Sequence, residues 1–250
     1  MSTKAGALAA ITGPAGSGKD TLARKLAERI RREGDAAVYI SGTAAFRAAA
    51  LWTIKQGYEP EQPLPADAYK GASFSFDGDT VFVGRATKDA YAEAEYASVD
   101  AGATASSFAT ISPDVFKGFV FGTILEYIRN ASARGEHCVL GARESFKMAR
   151  QLPIRSLIVC LSVPGDIQRQ RLMGAKRLGR EPCHMRERMV EEELARDERN
   201  RASGILPSHE LCPLLQQGTV VLPGAMYHLP NGKDPGYALE ILYAAFRQLA

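Results

Sequence analysis

An α/β fold with a central parallel sheet is what this sequence predicts, and three observations predict it. Gly6 to Thr12 is a short continuous apolar run, which suits a parallel strand buried on both faces. From Thr21 to Glu33, Leu22, Leu26 and Ile30 recur at i, i+4 and i+8, with Arg24, Lys25, Arg29 and Arg31 elsewhere. That is the stripe of an amphipathic helix, and Gly34 supplies its stop. Ala36 to Ile40 is a second apolar run. Strand, glycine-rich loop, helix and strand in this order make a βαβ unit.

The remaining elements follow along the chain. Ala44 to Gln56 reads as a helix ended by Gly57, and Pro60, Pro63 and Pro65 make a loop. Phe74 to Phe76 and Thr80 to Val83 flank Asp77-Gly78, the signal of a hairpin. A hairpin is antiparallel, so it belongs to an insertion and not to the parallel sheet. Small residues fill Ala97 to Ala109. Pro113 opens a long helix to about Arg134, at a first-turn position where proline is tolerated. His137 to Gly141 and Arg155 to Val163 are two further buried strands. Pro164 to Leu178 reads as an arginine-rich helix, broken by Gly179 to His184. Met185 to Arg201 is a charged helix in which Glu192 and Arg196 stand at i, i+4. Thr219 to Leu222 is the expected last strand and Gly236 to Leu249 the last helix. No internal repeat or low-complexity tract interrupts the 250 residues, a length that fits one large domain or one core with insertions.

Composition removes several classes. Lys plus Arg is 31 and Asp plus Glu 28, a net charge of +3, whereas a dedicated nucleic-acid binder carries a strong basic excess. With 46% hydrophobic and 24% charged residues, the chain reads as an ordinary globule. No apolar run reaches the roughly 18 residues of a transmembrane helix. The short apolar stretch Ala5 to Ile11 is not read as a signal peptide, because cleavage there would disable the loop that follows. The four cysteines, Cys138, Cys160, Cys183 and Cys212, form no CxxC pair. Cys138 and Cys160 lie in apolar stretches and read as buried thiols, and a reducing cytoplasm is the expected compartment.

The chemistry concentrates at Gly13-Pro14-Ala15-Gly16-Ser17-Gly18-Lys19, between the first strand and the first helix. Glycines let successive backbone N–H groups converge on phosphate oxygens. The helix N-terminus adds a field that favours an anion. Lys19 brings a point charge to the β- and γ-phosphates. The pattern departs from a strict phosphate loop at one place: Asp20 stands where Ser or Thr usually serves Mg²⁺, and Thr21 follows. Asp20 is either a direct Mg²⁺ ligand or a helix cap beside the loop.

From here the chain resembles the cytidylate kinases among the P-loop nucleoside monophosphate kinases. GPAGSGKDT is similar to the family's GPAGSGKST. Tyr39 to Arg47 (YISGTAAFR) resembles YLDTGAMYR. Gly141-Ala142-Arg143-Glu144 stands in the place of DGRD, and Arg196 to Arg201 (RDERNR) resembles the RDxRD segment. Phe82-Val83-Gly84 and the helices to Pro113-Asp114-Val115 resemble the inserted substrate domain. The resemblance implies one P-loop kinase domain over 1–250, a three-layer α/β/α core with an inserted acceptor-binding region at 57–112 and a helical lid at 165–200. It implies ATP and Mg²⁺, with transfer of the γ-phosphoryl to a nucleoside monophosphate, CMP or dCMP foremost.

It also implies roles. Residues 13 to 21 would hold the ATP phosphates. Arg47 and Arg143 would hold the acceptor phosphate. Glu144 and Arg196 would approach the pentose, with Asn200 at the place of a pentose-contacting Asp. Ser41 stands for an Asp at the acceptor site, and Ser107 matches a serine that helps to read the base. Arg169 and Arg171 would clamp the ATP phosphates, which planar guanidinium forks suit. Lid closure would exclude water. Phe46 replaces a Tyr, and Phe116 and Ser203 fall at places of base- or phosphate-contacting arginines, so phosphate-handling positions are better kept than base-reading ones.

Two other readings stand beside this one. A nucleotide-binding regulatory protein without transferase activity fits the altered acceptor positions, and a kinase of a non-nucleotide small molecule fits the loop. The expected partner is a small-molecule phosphate acceptor, with no nucleic acid and no membrane; the sequence leaves the oligomeric state open. Trp52 reads as core, and His137, His209 and His228 as structural or exposed. Cys183-His184 lacks the companions of a metal site.

Overall fold

The computed structural model describes residues 5–77, 80–92, 95, 99–174, 183–232 and 234–250. They group into two compact units, Met1–Tyr39 with Ala131–Ala250, and Ile40–Asn130.

The first unit carries a five-stranded sheet. Its strands are β1 (Leu8–Thr12), β2 (Ala37–Ser41), β6 (His137–Gly141), β7 (Ser156–Ser162) and β8 (Met226–Pro230), in the order β2-β6-β1-β7-β8. β1 pairs in parallel with both β6 and β7, with Leu8 opposite Cys138 on one side and Ser156 on the other. Being central, β1 is buried at every residue, which is why its sequence is apolar throughout and does not alternate. The helix α1 (Lys19–Arg32) buries Leu22, Ala23, Leu26, Ala27 and Ile30. This face packs on β6 and on α8 (Pro235–Arg247), in a core that includes Ile11, Val139, Val159, Leu229 and Phe246. Asp234 caps α8 by accepting from the amides of Gly236 and Tyr237, and Pro235 begins the helix, both favoured start positions. Gly6 is fixed by close approach: a Cβ there would lie 1.9 Å from the carbonyl oxygen of Glu136.

The second unit begins with α2 (Gly42–Lys55), capped by Ser41, whose hydroxyl accepts from the Ala44 amide at 3.1 Å. An antiparallel sheet follows, β3 (Ser73–Asp77), β4 (Thr80–Gly84) and β5 (Lys88–Tyr91). The predicted hairpin is in register, Asp77 opposite Thr80; its turn residues 78–79 lie outside the described residues. Helices α3 (Val99–Ile111) and α4 (Gly118–Ala133) complete the unit. Aromatic rings fill its interior, with Tyr69 stacked on Phe119 at 4.1 Å and Phe116 against Phe46 and Phe108 at 5.7 and 5.6 Å. Trp52 is buried, as expected. Within the unit α2 packs on α3 and β4.

Several expectations need correction. The last strand is Met226–Pro230 and not Thr219 to Leu222, a stretch without regular structure. Val220 and Leu222 are exposed there, whereas Tyr227 and Leu229 are buried beside β7. The single helix expected from Pro113 to Arg134 is a π-helical turn, Pro113–Lys117, followed by α4. Ser112 just before the turn accepts from the Leu64 amide at 2.8 Å, tying it to the preceding loop. The helix α3 falls among the helices expected before Pro113, and the hairpin has a third strand, β5. Further short elements are α5 (Ser145–Ala149) and a 3₁₀ turn, His209–Leu211; α6 (Gly165–Met173) and α7 (Cys183–Ala202) flank residues 175–182, which lie outside the described residues. The Gly179 to His184 break and part of the 165–200 region fall there. Among the described residues no single helix is long and apolar enough to cross a membrane.

Candidate active site

The phosphate loop connects β1 to α1. Thr12 at the end of β1 donates through Oγ1 to the Arg143 carbonyl at 2.5 Å, joining the start of the loop to the segment after β6. Gly16 and Gly18 take φ values of +70° and +81°, a left-handed conformation that glycine adopts without steric cost. Space is also short: a Cβ at Gly18 would lie 2.7 Å from Asn231 Nδ2, and one at Gly13 would lie 2.8 Å from Ser17 Oγ. The loop leads directly into the N-terminus of α1, where the helix field favours anions; within it the Ser17 amide donates to the Pro14 carbonyl at 3.3 Å. Ser17 Oγ is buried and has no hydrogen-bond partner among the described residues.

Lys19 is the first residue of α1 and is buried. Its Nζ lies 3.5 Å from the Pro14 carbonyl and 3.8 Å from Asp20 Oδ2. Burial lowers the Lys19 pKa; Arg143 lowers it further, while Asp20, Asp197 and Glu193 act in the opposite direction. Asp20 keeps a side chain 38% exposed, with Oδ1 accepting from the Tyr39 hydroxyl at 3.3 Å. Gly18 occupies the N-cap position and supplies no side-chain cap. Asp20 lies inside the first turn, so the cap alternative does not describe its place. Thr21 is exposed and lines a cavity of about 320 Å³ with Gly16, Gly18, Lys25, Arg171 and Asn231.

A set of buried polar groups holds the loop from its other side. Asp197, 1% exposed on α7, accepts the Ala15 amide at 2.7 Å. Gln168 of α6 donates to the Ala15 carbonyl at 2.8 Å and to Asp197 at 3.3 Å. Asn231, just after β8, donates to the Ser17 carbonyl at 2.7 Å. Arg171 reaches the carbonyls of Gly16 and Ser17 at 3.4 and 3.3 Å and of Gly232 at 2.5 Å. Asp197, Gln168 and Asn231 were not singled out from the sequence. Their bonds span 182, 153 and 214 residues, and no local pattern marks such contacts.

Arg143 and Arg196 meet on one acidic residue. Arg143 Nη2 lies 3.1 Å from Glu193 Oε2 and 3.3 Å from Asp197 Oδ1. Arg196 Nη2 lies 2.5 Å from the same Glu193 oxygen. Of the lid pair, Arg171 lies on the loop, whereas the Arg169 guanidinium pairs with Glu191 at 2.5 Å and is half exposed. Glu144 precedes α5 and pairs with Lys147 at 2.9 Å. The Asn200 carbonyl accepts from the amides of Ile205 and Leu206 and from the Ser203 hydroxyl.

The remaining predicted positions lie in the second unit. Arg47 is half-buried on α2, and a Cβ at Gly102 of α3 would lie 3.0 Å from its Nη2. Ser41 is the α2 cap already described. The Ser107 hydroxyl donates to the Pro60 carbonyl at 2.9 Å. Phe116 is fully buried among aromatic rings.

No protein-family profile matches the chain. Over 50 residues it is 46% identical to a protein described as cytidylate kinase from Solibacter usitatus (strain Ellin6076), a match covering 20% of this chain and 19% of that protein. The matched region thus spans about a fifth of that relative's length. Among solved structures, a gluconokinase from Sinorhizobium meliloti 1021 is similar with a TM-score of 0.44 and 14% identity, over 99% of this chain and 94% of the other. Both similar proteins are kinases by name.

Proposed function

We propose that the protein is a kinase that transfers the γ-phosphoryl of ATP to a small phosphorylated acceptor, a nucleoside monophosphate, with CMP or dCMP first in order. The observation that carries this reading is the glycine cradle at the N-terminus of α1, with a buried lysine beside it. Its amides suit the β-phosphate, and Lys19 places positive charge where the γ-phosphoryl would pass. Burial and Arg143 disfavour the Lys19 ammonium while Asp20, Asp197 and Glu193 act the other way, and a bound triphosphate would add to the favourable side. The cavity bordered by Gly18, Thr21 and Lys25 offers space beside the loop for the rest of the donor nucleotide.

Residues present at the loop suit magnesium. Asp20 offers a solvent-reached carboxylate at its end, and magnesium prefers oxygen ligands while keeping several waters. When bound, the ion would neutralise charge on the β- and γ-phosphates. Lys19 would hold the transferring group, and Arg143 with Arg196 would place positive charge at the acceptor phosphate. An acceptor phosphate is already ionised, so no general base is required. Catalysis would rest on position and preorganised charge. Arg47 is proposed as an acceptor-phosphate ligand from its motif. A cytoplasmic setting belongs to the same proposal.

The 46% identity to a cytidylate kinase over 50 residues supports the choice of acceptor class. Incubation with γ-labelled ATP, Mg²⁺ and CMP tests it: label is expected in CDP. Label that appears only in inorganic phosphate, or never leaves ATP under any monophosphate, would refute it.

A further inference from the structure

Two guanidinium groups converging on one oxygen is how proteins bind a phosphate, yet here the anion is a residue of the chain. Arg143 comes from the segment after β6 and Arg196 from α7, and both place an Nη2 on Oε2 of Glu193, at 3.1 and 2.5 Å. The cluster is electrostatically continuous with the phosphate loop, because Arg143, Asp197 and Glu193 all act on the Lys19 ammonium. Asp197 also stands against Arg143, from the side of the phosphate loop. Its Oδ2 is committed to the Ala15 amide, and its Oδ1, though 3.3 Å from Arg143, forms no hydrogen bond among the described residues.

We infer that Glu193 is a specificity-determining residue of the acceptor site: its carboxylate occupies the anion position of an Arg143–Arg196 clamp and yields it only to a phosphate dianion. The inference rests on the kinase reading for the identity of the clamp as an acceptor site. A monoanionic carboxylate entering the clamp would make the contacts that Glu193 already makes, and it would also lose translational freedom on binding. A phosphate monoester brings nearly two charges and three acceptor oxygens, and bidentate guanidinium contacts strengthen with both. Glu193 is replaced with gain only in the second case. Its side chain is 17% exposed, so part of it already meets solvent. The chain thereby discriminates against carboxylate ligands without a dedicated contact to reject them, a form of selection by competition.

The test uses the full chain saturated with ADP, so that the phosphate loop is filled. Inorganic phosphate and acetate are then titrated by calorimetry into wild type, Glu193→Gln and Glu193→Ala. Both variants are expected to bind phosphate at least roughly fivefold more tightly, about what one partly exposed charge pair is worth, and to narrow the phosphate-to-acetate preference. In turnover, Glu193→Gln is expected to lower the acceptor KM by a larger factor than the ATP KM. Phosphate binding that is unchanged, weaker or absent in both variants overturns the proposal. Variants that melt well below wild type and lose phosphate binding also overturn it, since Glu193 is then a structural tie. Failure of the kinase reading is separate: it is wild-type protein that turns over no monophosphate, whatever the calorimetric ratio.

Discussion

Replacing Asp197 with alanine removes the contact that joins α7 to the phosphate loop. The carboxylate is 1% exposed, takes hydrogen bonds from the Ala15 amide at 2.7 Å and Gln168 at 3.3 Å, and lies 3.3 Å from Arg143. Hydrogen bonds to a charged group are worth about 1.5–3 kcal/mol each, and breaking one partner of a buried pair costs about 3–5 kcal/mol. One carboxylate serves all these partners, so the values do not add, and a total near 3–5 kcal/mol is expected. For a chain of this size each kcal/mol moves Tm by about 2–4 °C. Asp197→Ala should therefore lower Tm by roughly 6–20 °C. Asp197→Asn keeps an oxygen for the Ala15 amide and should lose about half as much. ATP affinity should fall in the same order, since the loop loses its anchor. Thermal unfolding with and without ATP measures both effects. An alanine variant within about 1 kcal/mol of wild type, with ATP stabilisation intact, would refute the anchoring role.

Four further outcomes are expected. Lys19→Ala should retain the fold and lose at least roughly a hundredfold in phosphoryl transfer, the scale of one preorganised charge; turnover near wild type would remove its catalytic role. Asp20→Asn should raise the Mg²⁺ concentration needed for half-maximal activity, with Asp20→Ser closer to wild type; identical titrations for all three proteins would exclude Asp20 as a ligand. Arg47→Ala should raise the acceptor KM while the ATP KM changes little, read from steady-state kinetics. His228 gives a pH dependence. Its pKa is lowered by burial and then by His209, with the two rings 4.8 Å apart, and its Nε2 shares a 2.6 Å hydrogen bond with Ser162 Oγ. Folding thus favours the neutral ring, so its contribution is present above pH 6.5, the ordinary value, and is lost as pH falls through the lowered folded value. Urea unfolding followed from pH 7.5 to 5 should show a decline that His228→Asn flattens.

Where burial alone decides, the sequence is readable. β6 runs from His137 to Gly141, the bounds its apolar run predicts, because a strand covered on both faces has no exposed register to obscure it. The phosphate loop is readable for a similar reason: backbone geometry demands glycine at fixed places, and Gly16 and Gly18 carry positive φ. The bounds of α3 are hidden because its residues, VDAGATASSFATI, form no large apolar stripe. Val220 and Leu222 imitate a strand although they are 76% and 62% exposed. β5, Lys88–Tyr91, is too polar to announce itself and exists because β4 offers it a free edge. Gln168 and Asn231 have no local signature, and Asp197, though inside the RDERNR segment, is brought to the loop only by the folded chain. The Arg143–Glu193 contact is likewise tertiary, whereas Arg196 meets Glu193 at i, i+3 on one helix.

The most direct test of phosphoryl transfer to a monophosphate is a substrate panel. ATP and Mg²⁺ are supplied with each nucleoside and deoxynucleoside monophosphate in turn, and ADP formation is followed together with the diphosphate product. Turnover that depends on the acceptor is predicted, with CMP or dCMP foremost and base selectivity relaxed, because Phe116, at the place of a base- or phosphate-contacting arginine, is sealed in an aromatic core. Absence of turnover with every monophosphate, or a purine nucleotide preferred by orders of magnitude, would contradict it.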